Sequence, residues 1–208
     1  MEIFEDRRAL HQIPELDRLL PETVAYITGK LSGLGCRVFS PIPGSVCAWF
    51  DFGQDKAIAF RSDTDALPIG ENTGLPFASR HPGRMHACGH DGHMAILLEL
   101  ARRLSRKETL NHNVLLIFQP AEETTGGARD ICGTGIFKQY HVEAIFGLHL
   151  WPNLEAGVIA SRCQEMMSRS CEVKVDITGR SAHIAKAAEG IDAMAAGVDF
   201  YRKACAME

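Results

Sequence analysis

No stretch of this 208-residue sequence approaches the ~18 consecutive apolar residues that a membrane span requires. The amino terminus, Met1 to Arg8, is charged throughout and lacks the apolar segment of a secretory signal. Clustered basic residues are missing as well. The net charge is -4 with Lys and Arg scattered, so no surface is laid out to meet a phosphate backbone or an anionic membrane. Internal repeats and low-complexity tracts are also lacking. These absences predict a soluble, cytoplasmic globular protein with neither nucleic acid nor membrane as a partner. Cysteine is present in an odd number, seven. Cys36, Cys47, Cys132, Cys163, Cys171 and Cys205 mostly lie in apolar local sequence, as small hydrophobes do in a reducing compartment. Only Cys88 has neighbours able to ligate a metal.

What is present suits a folded chain: 46% hydrophobic and 23% charged residues over a length that can bury one large core or two smaller ones. Pro21 to Leu34 carries Val24, Ile27, Leu31 and Leu34 at helical spacing, opens on proline and stops at Gly35, which predicts an amphipathic helix. Ala57–Phe60, Val114–Phe118 and Ala144–Phe146 are continuous apolar runs of strand length, as expected of strands covered on both faces. A helix is expected over Met94–Leu104, between the first two. This interleaving predicts an α/β fold with a mixed, largely parallel sheet flanked by helices. The pattern then changes. Cys171 to Thr178 alternates Val173, Val175 and Ile177 with polar residues, as a half-exposed strand does, and Ala182 to Lys203 reads as a helix packed on it. The expected division is a catalytic domain over residues 1–167 and the first part of a small α+β lid or dimerisation domain over 168–208.

Each apolar strand runs directly into polar residues: Arg61-Ser62-Asp63-Thr64-Asp65, Gln119-Pro120-Ala121-Glu122-Glu123, and Leu148-His149-Leu150-Trp151-Pro152. The carboxyl ends of strands line the ligand crevice in open α/β sheets, so these groups should converge. His86-Ala87-Cys88-Gly89-His90-Asp91-Gly92-His93, ahead of the expected helix, adds a thiol and imidazoles. Together they make a donor set for zinc, manganese, cobalt or nickel. Singly, each has an ordinary alternative: a chance Cys-x-His pair, a solvated Glu122-Glu123 loop, a core His149, or Asp63 and Asp65 as turn or cap residues. Joint placement is what favours a site.

Five segments in order, Arg8–Glu15, Phe60–Ile69, Met85–Met94, Phe118–Glu123 and Gly147–Pro152, resemble the aminoacylase and carboxypeptidase-type metallohydrolases. The branch resembled is that of hippurate hydrolase, N-acetyldiaminopimelate deacetylase and the plant auxin-conjugate hydrolases. The resemblance runs from about Arg8 to Tyr201. It implies two divalent metal ions held by Cys88, His90, Glu123 and His149, with the Cys88 thiolate shared. Glu122 is the implied general base, Asp63 orients a metal ligand, and Asp65 fixes its loop. Gly179-Arg-Ser-Ala-His183 resembles the lid segment whose histidine reaches the substrate carbonyl, in relatives often across a dimer interface; that implies a homodimer. The segment after His183 departs from many members, which carry Pro-His where this chain has Ala187-Ala188. Members also continue well past Glu208 and supply one further histidine ligand, so the chain is expected to be a fragment or truncation.

The implied activity is hydrolysis of N-acyl amino acids or related small amides by metal-activated water. Two other readings compete. One keeps the fold as an inactive remnant or dimerising module, and the other makes Cys88 a nucleophile activated by a histidine, as in thiol amidases.

Overall fold

The computed structural model describes residues 1–166 and 173–207 and divides into two compact units, Met1–Glu155 and Ala156–Glu208. The first unit runs α1 (Glu2–His11), α2 (Pro21–Leu31), β1 (Arg37–Phe39), β2 (Val46–Phe50), β3 (Ala57–Asp63), α3 (His90–Leu104), β4 (Asn113–Gln119), α4 (Gly127–Gly133), α5 (Ile136–Gln139) and β5 (Val142–Gly147). Its sheet has the order β1-β2-β4-β3-β5. β3 pairs in parallel with β4 and β5, whereas β2 runs antiparallel to β1 and β4. Four of the five strands therefore point the same way, which is the mixed, largely parallel sheet expected from the interleaved pattern.

β4 is buried at every position, as its unbroken apolar run requires when both faces are covered. Alternate side chains serve different layers. Val114, Leu116 and Phe118 join Leu10, Ile27, Leu31, Met94 and Leu98 beneath α1, α2 and α3, while Leu115 and Ile117 pack with Ala59, Ile131 and Ile136 beneath α4 and α5. Each such fully buried Val, Leu, Ile, Met or Phe side chain stabilises the fold by about 1.5–3 kcal/mol. β5 departs from expectation. Among the described residues it has a strand neighbour on one side only, and Ile145 and Phe146 remain half-exposed.

The helical layer is pinned by a buried ionic cluster. Asp6, fully buried on α1, accepts hydrogen bonds from Tyr26 (2.7 Å) and pairs with Lys30 on α2 (2.9 Å) and Arg102 on α3 (2.8 Å). α3 begins four residues before the expected start at Met94. Its first turn is polar, so apolar periodicity does not reveal it, and Gly89 stops the preceding turn with φ +86, a left-handed conformation suited to glycine.

In the second unit the single helix expected over Ala182–Lys203 is two pieces, a 3₁₀ segment (Ile184–Glu189) and α6 (Ala193–Cys205). The chain turns extended at Gly190, Arg180 and Ile191 exchange backbone hydrogen bonds, and Asp192 caps α6 by accepting the Ala195 N–H (2.9 Å). Cys171 and Glu172 lie outside the described residues. Val173–Thr178, expected as a half-exposed strand, form none and are exposed throughout. The cysteine environments differ from expectation at Cys132, Cys163 and Cys205, which are exposed. No helix of the described residues is long and apolar enough to cross a membrane.

Candidate metal centre

The carboxyl ends of β3, β4 and β5 and the first turn of α3 bring the polar segments together. Geometry fixes the state of three imidazoles. His90 Nδ1 faces the Asp65 carbonyl (2.8 Å), which only accepts, so it donates and leaves the Nε2 lone pair free. His149 Nδ1 donates to the Leu150 carbonyl (2.7 Å), and its Nε2 faces the Cys88 sulfur at 3.4 Å. His93 Nε2 accepts the Leu150 N–H (2.9 Å), so its Nδ1 donates to Asp63 Oδ1 (2.6 Å). The rings pack closely, with centroids 4.5 Å apart for His93 and His149 and 5.3 Å for His90 and His93.

Three carboxylates surround the free nitrogen of His90. Asp63 Oδ2 lies 3.6 Å away, Glu123 Oε1 3.7 Å and Glu122 Oε2 4.0 Å. These are lone-pair donors facing a lone-pair donor, and His90 Nε2 and Glu123 Oε1 are both buried without a hydrogen-bond partner. A bound cation satisfies such a convergence. Among the described residues, the groups spaced to hold an ion are Cys88/His90/His149, His90/Glu122/Glu123 and Asp63/His90/His93, all sharing His90. The last is weakened by chemistry: both His93 nitrogens are committed, and the Asp63 oxygens accept from His93 and from Arg61 (2.9 Å). The donors left free are Cys88, His90, Glu122, Glu123 and His149, a set that fits divalent metal ions.

Electrostatics follow the same arrangement. Burial alone would raise the Asp63 carboxyl, but the His93 hydrogen bond and the nearby His90 and Arg61 hold it down at about 2. Glu122 moves the other way, pushed up first by burial and then by the charge of Glu123. The Cys88 thiol is driven up to about 12 by burial and by Glu123, Glu122 and Asp63. Asp65 accepts the backbone N–H of Glu122 and of Glu123 on its two oxygens, each at 3.0 Å, and so holds the glutamate pair; burial nevertheless pushes its carboxyl upward.

His183 belongs to the second unit, where it precedes the 3₁₀ segment and its Nδ1 accepts the Ala185 N–H (3.2 Å). His93, Asp91, His11 and His86 were given no individual role from the sequence. His93 lies one turn after His90 on α3, a spacing that places both on one helix face. Behind that turn, Asp91 pairs with His11 (2.8 Å) and Arg7 (3.1 Å), and His11 reaches Glu71 (3.2 Å). His86 is buried there with neither nitrogen hydrogen-bonded, and burial lowers it to about 4, so it is neutral. His11 and Asp91 fall inside the segments that carried the resemblance, but pairing across 80 positions has no local signature.

The sequence profile described as Peptidase family M20/M25/M40 matches residues 59–205. An uncharacterized hydrolase of Staphylococcus epidermidis is 42% identical over 187 residues, covering 88% of this chain and 49% of its own length. The chain thus spans about half the length of the curated relatives it matches. Among solved structures, the YXEP protein of Bacillus subtilis, a dinuclear metal binding peptidase from the M20 family, is 41% identical with a TM-score of 0.69, over 73% of this chain and 43% of that one. The aminobenzoyl-glutamate utilization protein of Klebsiella pneumoniae is 25% identical with a TM-score of 0.58, over 74% and 45% of the two chains.

Proposed function

The chain belongs to peptidase family M20/M25/M40, and on that premise we propose that it is the metal-binding portion of a hydrolase that cleaves the amide of N-acyl amino acids or related small amides. The observation that carries this reading is the meeting of Cys88, His149, His90 and Glu123 donor atoms with no hydrogen-bond donor between His90 Nε2 and the carboxylates. These four residues would hold two divalent ions such as manganese, zinc, cobalt or nickel. When bound, the ions supply Lewis-acid activation of water and of the scissile carbonyl. The YXEP protein's description as a dinuclear metal binding peptidase supports the pair, and aminobenzoyl-glutamate, named in the Klebsiella relative's description, is itself an N-acyl amino acid.

Glu122 takes the proton of the attacking water as the oxygen bonds to the amide carbon. It then delivers that proton to the leaving nitrogen as the C–N bond breaks. Asp63, through His93 and beside His90, orients the imidazoles, and His183 would reach the developing oxyanion in a homodimer formed through the second unit. The test is to assay hippurate, N-acetyl amino acids and aminobenzoyl-glutamate with chelated protein and with protein reloaded with each metal. Metal-dependent release of the free amino acid is expected; turnover that survives complete chelation would overturn the reading.

A further inference from the structure

Glu122 and Glu123 stand on the loop of residues 120–126 between β4 and α4. Asp65 grips its first half, and a distant turn grips the second. Asp17, between α1 and α2, accepts the Ala121 N–H on its carbonyl (3.1 Å) and the hydroxyls of Thr124 (2.5 Å) and Thr125 (3.2 Å) on Oδ1. Arg18 donates to Thr125 Oγ1 (2.9 Å) and pairs with Asp130 on α4 (2.5 Å). No other side chain among the described residues bonds the two hydroxyls. The loop base is closed where the Ala121 carbonyl accepts both the Gly126 N–H (3.0 Å) and the Gly127 N–H (3.1 Å). Gly127 has no room for a side chain, because a Cβ would lie 2.0 Å from the Pro120 oxygen. Ala121 sits at φ +55 and Asp17 at φ +56, conformations that persist only where the surroundings impose them.

We propose that Asp17 is a positioning residue for the glutamate pair: it holds the Thr124-Thr125 half of the loop, so that the backbone aimed by Asp65 presents Glu122 and Glu123 in one geometry. The physical reason is that the Glu122 side chain is itself about two-fifths exposed and makes no hydrogen bond to the described residues, so its place depends on its backbone. Asp17 offers one oxygen to two hydroxyls, an acceptor role that Asn keeps and Ala loses. The proposal rests on the roles given above to Glu122 and Glu123.

Hydrogen exchange on the whole protein tests it independently of those roles. In Asp17→Ala the amides of Glu122 and Glu123 should exchange roughly tenfold faster, while Asp17→Asn stays near the wild-type rate. The double variant Thr124→Val, Thr125→Val should reproduce the alanine result from the other side of the clamp. In the cobalt-loaded protein, Asp17→Ala should keep its cobalt stoichiometry, change the visible ligand-field bands and lower kcat with little change in KM. Unchanged exchange at Glu122 and Glu123 in Asp17→Ala and in the threonine pair would overturn the proposal. So would faster exchange with unaltered kcat, or an Asp17→Asn variant as impaired as Asp17→Ala. If even the wild type cleaves no amide, the functional reading fails while the exchange rates still decide the clamp.

Discussion

Alkylation of Cys88 separates a metal-binding thiol from a nucleophilic one. Its pKa of about 12 arises first from burial and then from Glu123, Glu122 and Asp63. An ordinary thiol near 8.5 is roughly one-quarter ionised at pH 8, whereas one at 12 is about 10⁻⁴ ionised, a difference of some thousandfold in thiolate. Solvent reaches this site and screens the carboxylates, so the expected slowing is nearer a hundredfold. The exposed Cys132, Cys163 and Cys205 serve as internal references. Chelated protein would be treated with iodoacetamide at pH 8 and the rate at each cysteine followed by peptide mass spectrometry. Cys88 should react about a hundredfold more slowly than the references. Adding zinc should suppress it further with release of about one proton, because the ligand is the thiolate. Glu123→Gln should speed the metal-free reaction by removing the nearest negative charge. If Cys88 is alkylated as fast as Cys132 without metal, the carboxylates do not govern it, and a thiolate nucleophile paired with His149 becomes the better account.

Glu122→Gln in the metal-loaded protein should keep its metal but lose roughly 10²–10⁴-fold in kcat. Retained kcat in that variant would remove Glu122 from its role. Asp63, held at about 2 against an ordinary 3.8, contributes about 2 kcal/mol of stability above pH 5. Because its folded pKa is depressed, that contribution falls as pH drops, with about half gone by pH 3; urea titrations of metal-free wild type and Asp63→Asn should converge accordingly. Asp6→Ala strips the buried Arg102 of a partner and should cost about 3–5 kcal/mol by denaturant unfolding, whereas a loss below about 1 kcal/mol would show that Glu2 and Glu99 satisfy Arg102 alone.

The sequence alone determined most of what depends on neighbours along the chain. The apolar runs around Ile58, Leu116 and Ile145 are β3, β4 and β5, and Pro21 opens α2, because apolar strands and helix starts leave local patterns. Local pattern misled where function or partnership intervenes. The polar first turn of α3 hid its start at His90, Gly190 and Asp192 break the second unit's helix, and the alternation over Val173–Thr178 forms no strand. Cys88, His90, Glu123 and His149 were legible as candidates because strand ends and the opening of a helix meet at one edge of such a sheet. Which of their atoms remain free was decided only by the tertiary structure. It gives Asp65 to the backbone of Glu122 and Glu123, spends both nitrogens of His93, and ties Asp17 to Thr124 across 107 positions. Hydrogen-bond partners so far apart in the chain leave no periodic trace, because what joins them is the packing of elements and not their order.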